Sequence, residues 1–294
     1  MKILLTGANG FLGRHIRSVI NADALLTLGR TEGDVICDLA TDIPVIEAPL
    51  RTVIHAAGLA HFVPKGKKAQ EKFYNVNLKI TQNLIAGLEK SRFLPQSFVF
   101  ISTVAVYGVE SGSDIDENYP LLGHTPYALS KIKSEELLLD WGKKNGVKIL
   151  IVRLPLVVGE NPPGNLGAMI KGIRKGYYFR FNEGLARKSV VSAQDVARCI
   201  RDNGQAEGIY NLTDLRHPTL REIENVIALK LNKRILKIPK KIIEILGKFG
   251  DYFVLLPINS PKINKLNNSL TFSSAKAVKY LNWHPKSALE DLIV

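Results

Sequence analysis

The chain has 294 residues, 46% of them hydrophobic, and a formal charge of +13. Length and composition suit one large domain or two compact lobes with a sizeable core, and exclude disorder, low complexity and short repeats. The charge is uneven: residues 1–150 hold 17 Lys and Arg against 15 Asp and Glu, and residues 151–294 hold 23 against 12.

Short apolar runs alternate with helical patterns along the first half. Strands are predicted at Lys2–Thr6, Ala24–Leu28, Val35–Cys37, Thr52–His55, Ser97–Ser102 and Val147–Val152. Helices are predicted between them at Phe11–Asn21, Ala69–Glu89 and Pro126–Lys144. Such alternation means βαβ units and a doubly wound parallel sheet covered on both faces. Past residue 153 the alternation loosens. A Pro- and Gly-rich loop at 159–167 precedes a helix at Leu166–Lys175, a strand at Ser189–Val191, a helix at Gln194–Asn203 and a strand at Gly208–Leu212. Helices are expected to dominate from there on. The expected organisation is a dinucleotide-type α/β domain at 1–155 and a smaller, mostly helical lobe at 156–294, with some elements returning to the first domain. That lobe would lie over the C-terminal edge of the sheet, where open α/β sheets bind ligands.

The basic second half suits a polyphosphate ligand, an anionic membrane surface or nucleic acid. Its lysines (Lys230, Lys233, Lys237, Lys240, Lys241, Lys248) are scattered, as on solvated helix faces, and no nucleic-acid recognition motif accompanies them. Cys37 and Cys199 lack neighbours at metal or redox spacing and read as inert thiols. The N-terminal apolar run is too short for a signal segment. The run from Ile242 to Ile258 is interrupted by Glu244, Lys248 and Asp251 and is too short to span a bilayer. A cytosolic protein is expected.

The first strand leads into Thr6-Gly7-Ala8-Asn9-Gly10-Phe11-Leu12-Gly13 and then a helix. Glycines tighten such a turn and admit a pyrophosphate to the backbone, while the helix N-terminus offers free N–H groups. The second strand ends Leu28-Gly29-Arg30, with glycine where an acid would hold the ribose 2′-hydroxyl of NAD. Arg30 can instead pair with a 2′-phosphate. One charge-assisted contact of this kind contributes about 1.5–3 kcal/mol. NADP is therefore the expected cofactor, with NAD the alternative. Asp38 and Leu39 would close over the adenine end.

Tyr127 and Lys131 stand four apart at the start of a predicted helix, so they share one face. An ammonium and a nicotinamide cation near the phenol would lower its pKa and let it exchange a proton with a sugar hydroxyl. The preceding strand ends Ser102-Thr103, offering a hydroxyl to the reacting oxygen, and runs on to Val106-Tyr107-Gly108.

With these motifs the chain resembles extended short-chain dehydrogenases/reductases of the nucleotide-sugar epimerase/dehydratase family. The resemblance implies Thr103 as the catalytic hydroxyl, with Ser102 a neighbouring candidate, Tyr127 as acid/base, and Lys131 as the residue that binds the nicotinamide ribose and tunes the tyrosine. It implies a cofactor lined by His55-Ala56-Ala57-Gly58, shaped by Asn77 and flanked by Arg153-Leu154-Pro155, so that Leu154 and Pro155 approach the nicotinamide. Asn165 resembles the asparagine that holds the family's substrate diphosphate, and Lys188, in Arg187-Lys188-Ser189, resembles a basic substrate contact. Gln194-Asp195-Val196-Ala197, Ser273-Ser274-Ala275-Lys276 and Leu281-Asn282-Trp283-His284-Pro285 resemble further family segments.

Departures narrow the activity. Val104-Ala105 replace the Asp-Glu pair of sugar dehydratases, so water elimination is not expected. The expected reaction is reduction of a nucleotide-linked 4-keto-hexose for surface-polysaccharide precursors. The alternatives are 4-epimerization and a non-catalytic dinucleotide sensor, which in this family lacks the Tyr/Lys pair. A homodimer through the helices at 69–89 and 126–144 follows from the resemblance alone. His61, His124 and His217 read as loop residues, Tyr177, Tyr178, Phe179, Phe181 and Trp283 as core, and Lys65-Gly66-Lys67-Lys68 as a solvated loop. No metal site is expected.

Overall fold

The computed structural model describes residues 1–60, 66–181, 183–238 and 267–294. The apolar run 242–258, His61, Lys65, Lys240, Lys241 and Lys248 lie outside them. In chain order the elements are β1 (Lys2–Thr6), α1 (Phe11–Val19), β2 (Leu25–Gly29), β3 (Val35–Ile36), β4 (Leu50–His55), α2 (Lys67–Lys90), β5 (Ser97–Thr103), β6 (Gly112–Ile115), α3 (Pro126–Asn145), β7 (Lys148–Leu154), β8 (Leu156–Val158), α4 (Gly164–Lys175), β9 (Phe179–Phe181), β10 (Val190–Ser192), α5 (Ala193–Asn203), β11 (Gly208–Asn211), α6 (Leu220–Lys230), β12 (Leu236–Ile238), β13 (Leu270–Phe272) and α7 (Ala275–Leu281).

Seven strands form one parallel sheet in the order β11-β7-β5-β4-β1-β2-β3. The central strands are buried on both faces, which is why β5 and β7 carry unbroken apolar runs at 98–101 and 149–152. One face is covered by α2 and α3, with Leu84, Leu88, Leu138 and Trp141 packed on Val53, Phe98 and Ile149. The other face carries α1, α5 and α7, with Ile16, Ile200 and Leu281 packed on Leu5, Val99 and Val152. This is the doubly wound sheet the alternation predicts. Trp283 is core, 4% exposed, and donates its indole N–H to the Thr213 carbonyl at 2.9 Å.

Between β7 and α5, and again beyond β11, the chain leaves the C-terminal ends of the strands. There it builds a separate apolar cluster from Leu166, Ile170, Ile173, Ile223, Ile227 and Leu292. Three-residue strands β8, β9, β10, β12 and β13 stitch these excursions in distant pairs, β10 on β8 and β12 on β9. Among the described residues after β11, helices α6 and α7 exceed the two three-residue strands β12 and β13.

Candidate active site

At the end of β1 the backbone turns through Gly7 at φ +72° and enters α1. A Cβ on Gly7 would lie 2.8 Å from the Ala57 nitrogen, and one on Gly13 would lie 1.9 Å from the Gly7 carbonyl oxygen, so both positions require glycine. Gly10 caps α1 with no side-chain bond. The first-turn N–H groups of Phe11, Leu12 and Gly13 therefore meet no capping side chain. This turn opens on a cavity of about 890 Å³ lined by Gly7, Asn9 and Gly10, by residues 28–34, by Asp38 and Leu39, and by Ala56, Ala57 and Gly58. The Phe11 and Leu12 side chains point elsewhere: Phe11 meets the His15 ring edge-on and Leu12 packs on the core.

Three carboxylates line the cavity, and each has a protein partner. Asp34 accepts from the Thr27 N–H at 2.8 Å and hydroxyl at 2.7 Å, which holds its pKa below the usual range. Asp38 accepts from the Ala40 N–H at 3.0 Å, and Glu32 from the Asn9 amide at 3.3 Å. Arg30 is exposed and lines the same space. So does Arg17, which sequence reasoning missed; its signal is a position one helical turn after Gly13. The glycine turn, the uncapped helix and these cations fit a dinucleotide.

His55 is not in the cavity wall. Its ring is 1% exposed and pinned between the Thr6 hydroxyl at 2.7 Å and the Thr81 hydroxyl at 3.2 Å. Burial, with the Lys131 charge adding, pushes its pKa down to about 3, so it is a neutral strut under the floor. Asn77 clamps the backbone of Leu59, accepting from its N–H at 2.6 Å and donating to its carbonyl at 3.0 Å. Leu154 is core, 4% exposed, and only Pro155 beside it is partly open.

Helix α3 begins where the sequence says it should. Thr125 caps it through the Ala128 N–H at 3.2 Å, Pro126 occupies the first turn, and Gly146 ends it at φ +68°. Tyr127 is half-buried, its ring edge-on to Phe73. Lys131 is 8% exposed, donates to the Ile101 carbonyl at 2.7 Å and stands 4.5 Å over the Phe100 ring. A Cβ on Gly58 would lie 3.5 Å from the Asn77 side-chain oxygen and 3.8 Å from the Lys131 ammonium. The cavity wall thus abuts the lysine.

Burial pushes Tyr127 up to about 12 and draws Lys131 down to about 8, with Glu135 opposing the latter. The expected lowering of the phenol is not present in the chain alone, where desolvation dominates. Thr103 is half-buried and caps the short turn 104–107 by accepting from the Ala105 N–H at 3.2 Å.

Ser102 is a correction. It is 3% exposed and donates to Glu135 Oε1, so its hydroxyl is committed inside the protein. Glu135 pairs with Arg153 at 2.6 Å, both side chains 2% exposed. Arg153 donates to the Tyr107 hydroxyl at 3.1 Å, and that hydroxyl donates to Asn211 at 2.8 Å. Sequence reasoning missed Glu135; its signal is the next four-residue step after Tyr127 and Lys131.

Asn165 is exposed in the first turn of α4, and the Lys188 ammonium donates to the Asn268 carbonyl at 2.7 Å. Tyr177 and Phe179 are not core, at 56% and 37% exposed, whereas Tyr178 is partly buried and donates to Glu224 at 2.8 Å. His124 is exposed, and His217 meets the Ser189 hydroxyl at 2.9 Å. Burial raises both thiols, Cys199 to about 12. No helix among the described residues is long and apolar enough to cross a membrane.

A glycine turn on a dinucleotide-sized cavity, abutting a Tyr/Lys pair on α3, accompanies a family-level match. Residues 3–212 match the NAD dependent epimerase/dehydratase family, and the chain belongs to it. Among curated relatives it is 28% identical to GDP-6-deoxy-D-mannose reductase of Pseudomonas aeruginosa over 251 residues, 77% of this chain and 79% of that protein. It is 26% identical to the N-acetyl-α-D-glucosaminyl-diphospho-ditrans,octacis-undecaprenol 4-epimerase of Escherichia coli O157:H7, over 79% of this chain and 73% of that one. The fold is shared with the Thermus thermophilus UDP-glucose 4-epimerase in complex with NAD, at TM-score 0.74 and 22% identity, covering 99% and 98% of the two chains. It is shared also with RMD from Pseudomonas aeruginosa complexed with NADPH, at TM-score 0.72 and 21% identity, covering 99% and 96%.

Proposed function

We propose that the chain is an NADP-dependent reductase of nucleotide-linked 4-keto-hexoses. The observation that carries this is the contiguity at Gly58: one side of that residue lines the dinucleotide cavity and the other meets Lys131, one turn from Tyr127. A bound nicotinamide dinucleotide supplies hydride. Tyr127 gives its phenolic proton to the sugar oxygen, Thr103 orients that oxygen, and Lys131 holds the ribose and offsets charge growing on the phenolate. The free first-turn N–H groups of Phe11, Leu12 and Gly13 receive the pyrophosphate, with Asn9 and Gly10 beside them. Ala56, Ala57 and Gly58 form the wall with Asn77 behind Gly58, Pro155 borders the nicotinamide end, and Asp38 and Leu39 border the adenine. NADP is favoured over NAD because Arg30 and Arg17 both line the cavity and offer positive charge to a 2′-phosphate. Asn165 and Lys188 are assigned to the substrate diphosphate.

A second reading, 4-epimerization, is favoured by the UDP-glucose 4-epimerases among the relatives. Cofactor stoichiometry separates the two: a reductase consumes one NADPH per product, and an epimerase turns over with catalytic cofactor. The first test is thermal-shift screening with NADP, NAD and UDP-, GDP- and dTDP-sugars. A larger shift with NAD than with NADP overturns the cofactor assignment, and no shift with any nucleotide sugar overturns the substrate class.

The same reading takes residues 1–155 as the dinucleotide domain and 156–294 as mainly the substrate lobe. It places the protein in the cytoplasm, making polysaccharide precursors. It also makes the protein a homodimer through α2 and α3, where Leu129 and Leu139 are 40% and 38% exposed. Light scattering checks the last point.

A further inference from the structure

The buried ion pair under α3 has no role in the reaction proposed for Tyr127. Glu135 and Arg153 are each 2% exposed, and their carboxylate and guanidinium meet in a fork, Nη2 to Oε2 at 2.6 Å and Nε to both oxygens at 3.2 Å. Buried pairs of this kind are weak stabilisers, since desolvation offsets most of their attraction. Their placement here is informative. Glu135 is one helical turn beyond Lys131, as Lys131 is one turn beyond Tyr127, so the three occupy one stripe of α3. Glu135 also holds Ser102, which lies between Ile101, whose carbonyl receives the Lys131 ammonium, and Thr103.

We propose that Glu135 is a positioning residue for the Tyr127–Lys131 pair: clamped by Arg153 and Ser102, its carboxylate is the counter-charge that seats the Lys131 ammonium on the Ile101 carbonyl. The proposal rests on the acid–base reading of Tyr127.

The groups around the ammonium support it. On α3 Lys131 stands one turn from Tyr127, neutral in the chain alone, and one turn from Glu135, whose charge acts on it. From β5 it meets the Ile101 carbonyl and the Phe100 ring, and from β4 the neutral His55. From α2 Asn77 stands across Gly58, and from β7 Arg153 bears a like charge that is turned onto Glu135. Burial draws Lys131 down to about 8, and the Glu135 charge opposes this. Arg153 holds the carboxylate in place through its fork of hydrogen bonds. It is itself anchored through Tyr107 to Asn211, which accepts from Tyr107 at 2.8 Å and donates to the Ile115 carbonyl at 3.2 Å.

The test is a pH titration of the Lys131 side chain by NMR on full-length protein carrying 13C-labelled lysine, its resonance assigned from Lys131→Met. In Glu135→Gln the midpoint is expected to fall by about one pH unit, a tenfold loss of charged lysine well above it. The alkaline limb of turnover should move with it, so activity drops roughly tenfold at pH 9 and hardly at pH 6. A merely structural role would lower thermal stability without moving the midpoint or the limb. Should Glu135→Gln fail to fold, with Arg153 left unpaired, Glu135→Gln/Arg153→Met removes both charges, a change that buried pairs often tolerate. A smaller downward shift is expected there, because the like charge of Arg153 is removed as well. An unmoved Lys131 midpoint in either folded variant overturns the proposal. Failure of the acid–base reading shows separately, as normal turnover in Tyr127→Phe, and leaves the NMR result on Glu135 intact.

Discussion

The mouth of the dinucleotide cavity and the floor beneath Tyr127 are built on opposite plans. At the mouth, main chain does the work: glycines bring the backbone close, and α1 starts without a capping side chain. Under α3, side chains do it, and each polar one is spent. Ser130 donates to the Tyr127 carbonyl at 2.8 Å, Ser134 accepts from Thr81 at 3.3 Å, and Ser102, Glu135 and Arg153 are bound to one another. A surface that receives a ligand leaves its hydrogen-bonding capacity open, whereas one that aims a reacting group spends that capacity inside the protein.

The sharpest way to break this contrast is Tyr127→Phe. If the floor exists to aim the phenol, turnover falls by roughly 10²–10⁴-fold while the cofactor-induced thermal shift stays near the wild-type value. A proportionate loss of cofactor binding, read by titration calorimetry, would merge the two regions into one. Next comes Arg153→Met, which leaves the Glu135 carboxylate buried and unpaired. A destabilisation of about 3–5 kcal/mol is expected by urea unfolding. A loss below about 1 kcal/mol, the scale of an exposed pair, would show that water reaches the pair and that the floor is not closed.

At the mouth, Arg30→Ser should weaken NADP binding by about 10- to 100-fold and change NAD binding little. Equal losses for both cofactors would remove Arg30 from the 2′-phosphate.

The smallest effect is a pH slope from the floor. His55 titrates near 3 when folded against 6.5 unperturbed, so the unfolded chain takes up the proton first as pH falls. The stability tied to its neutral ring is whole above pH 6.5 and is lost on acidification toward pH 3, at up to about 1.4 kcal/mol per unit. Urea unfolding at pH 7.5 and pH 5 should show this slope in the wild type and lack it in His55→Gln. The same slope in both would mean the imidazole is not held neutral.

The sequence made the mouth legible and the floor only half legible. Gly7, Gly10 and Gly13 announce themselves because a strand, a turn and a helix must follow in fixed local order. Tyr127 and Lys131 do so because a four-residue step puts them on one face. Ser102 misled, since a hydroxyl at a strand end looks alike whether it faces a substrate or the interior. His55 misled for the same reason, sitting in a segment whose backbone borders the cavity while its ring points beneath it. Glu135 passed unnoticed because its partners Ser102 and Arg153 lie far off in the chain, and Arg17 because the cavity it lines is closed by other segments.

Local pattern settled the alternation of strands and helices, the glycine turn, the start of α3 at Pro126 and the Tyr/Lys stripe, because each depends on residues a few positions apart. Only the tertiary structure joined β11 to β7, paired β8 with β10 and β9 with β12, and buried Arg153 against Glu135. Those outcomes depend on which surfaces meet after the sheet has formed, and short strands and single charges carry no periodicity that would reveal it beforehand.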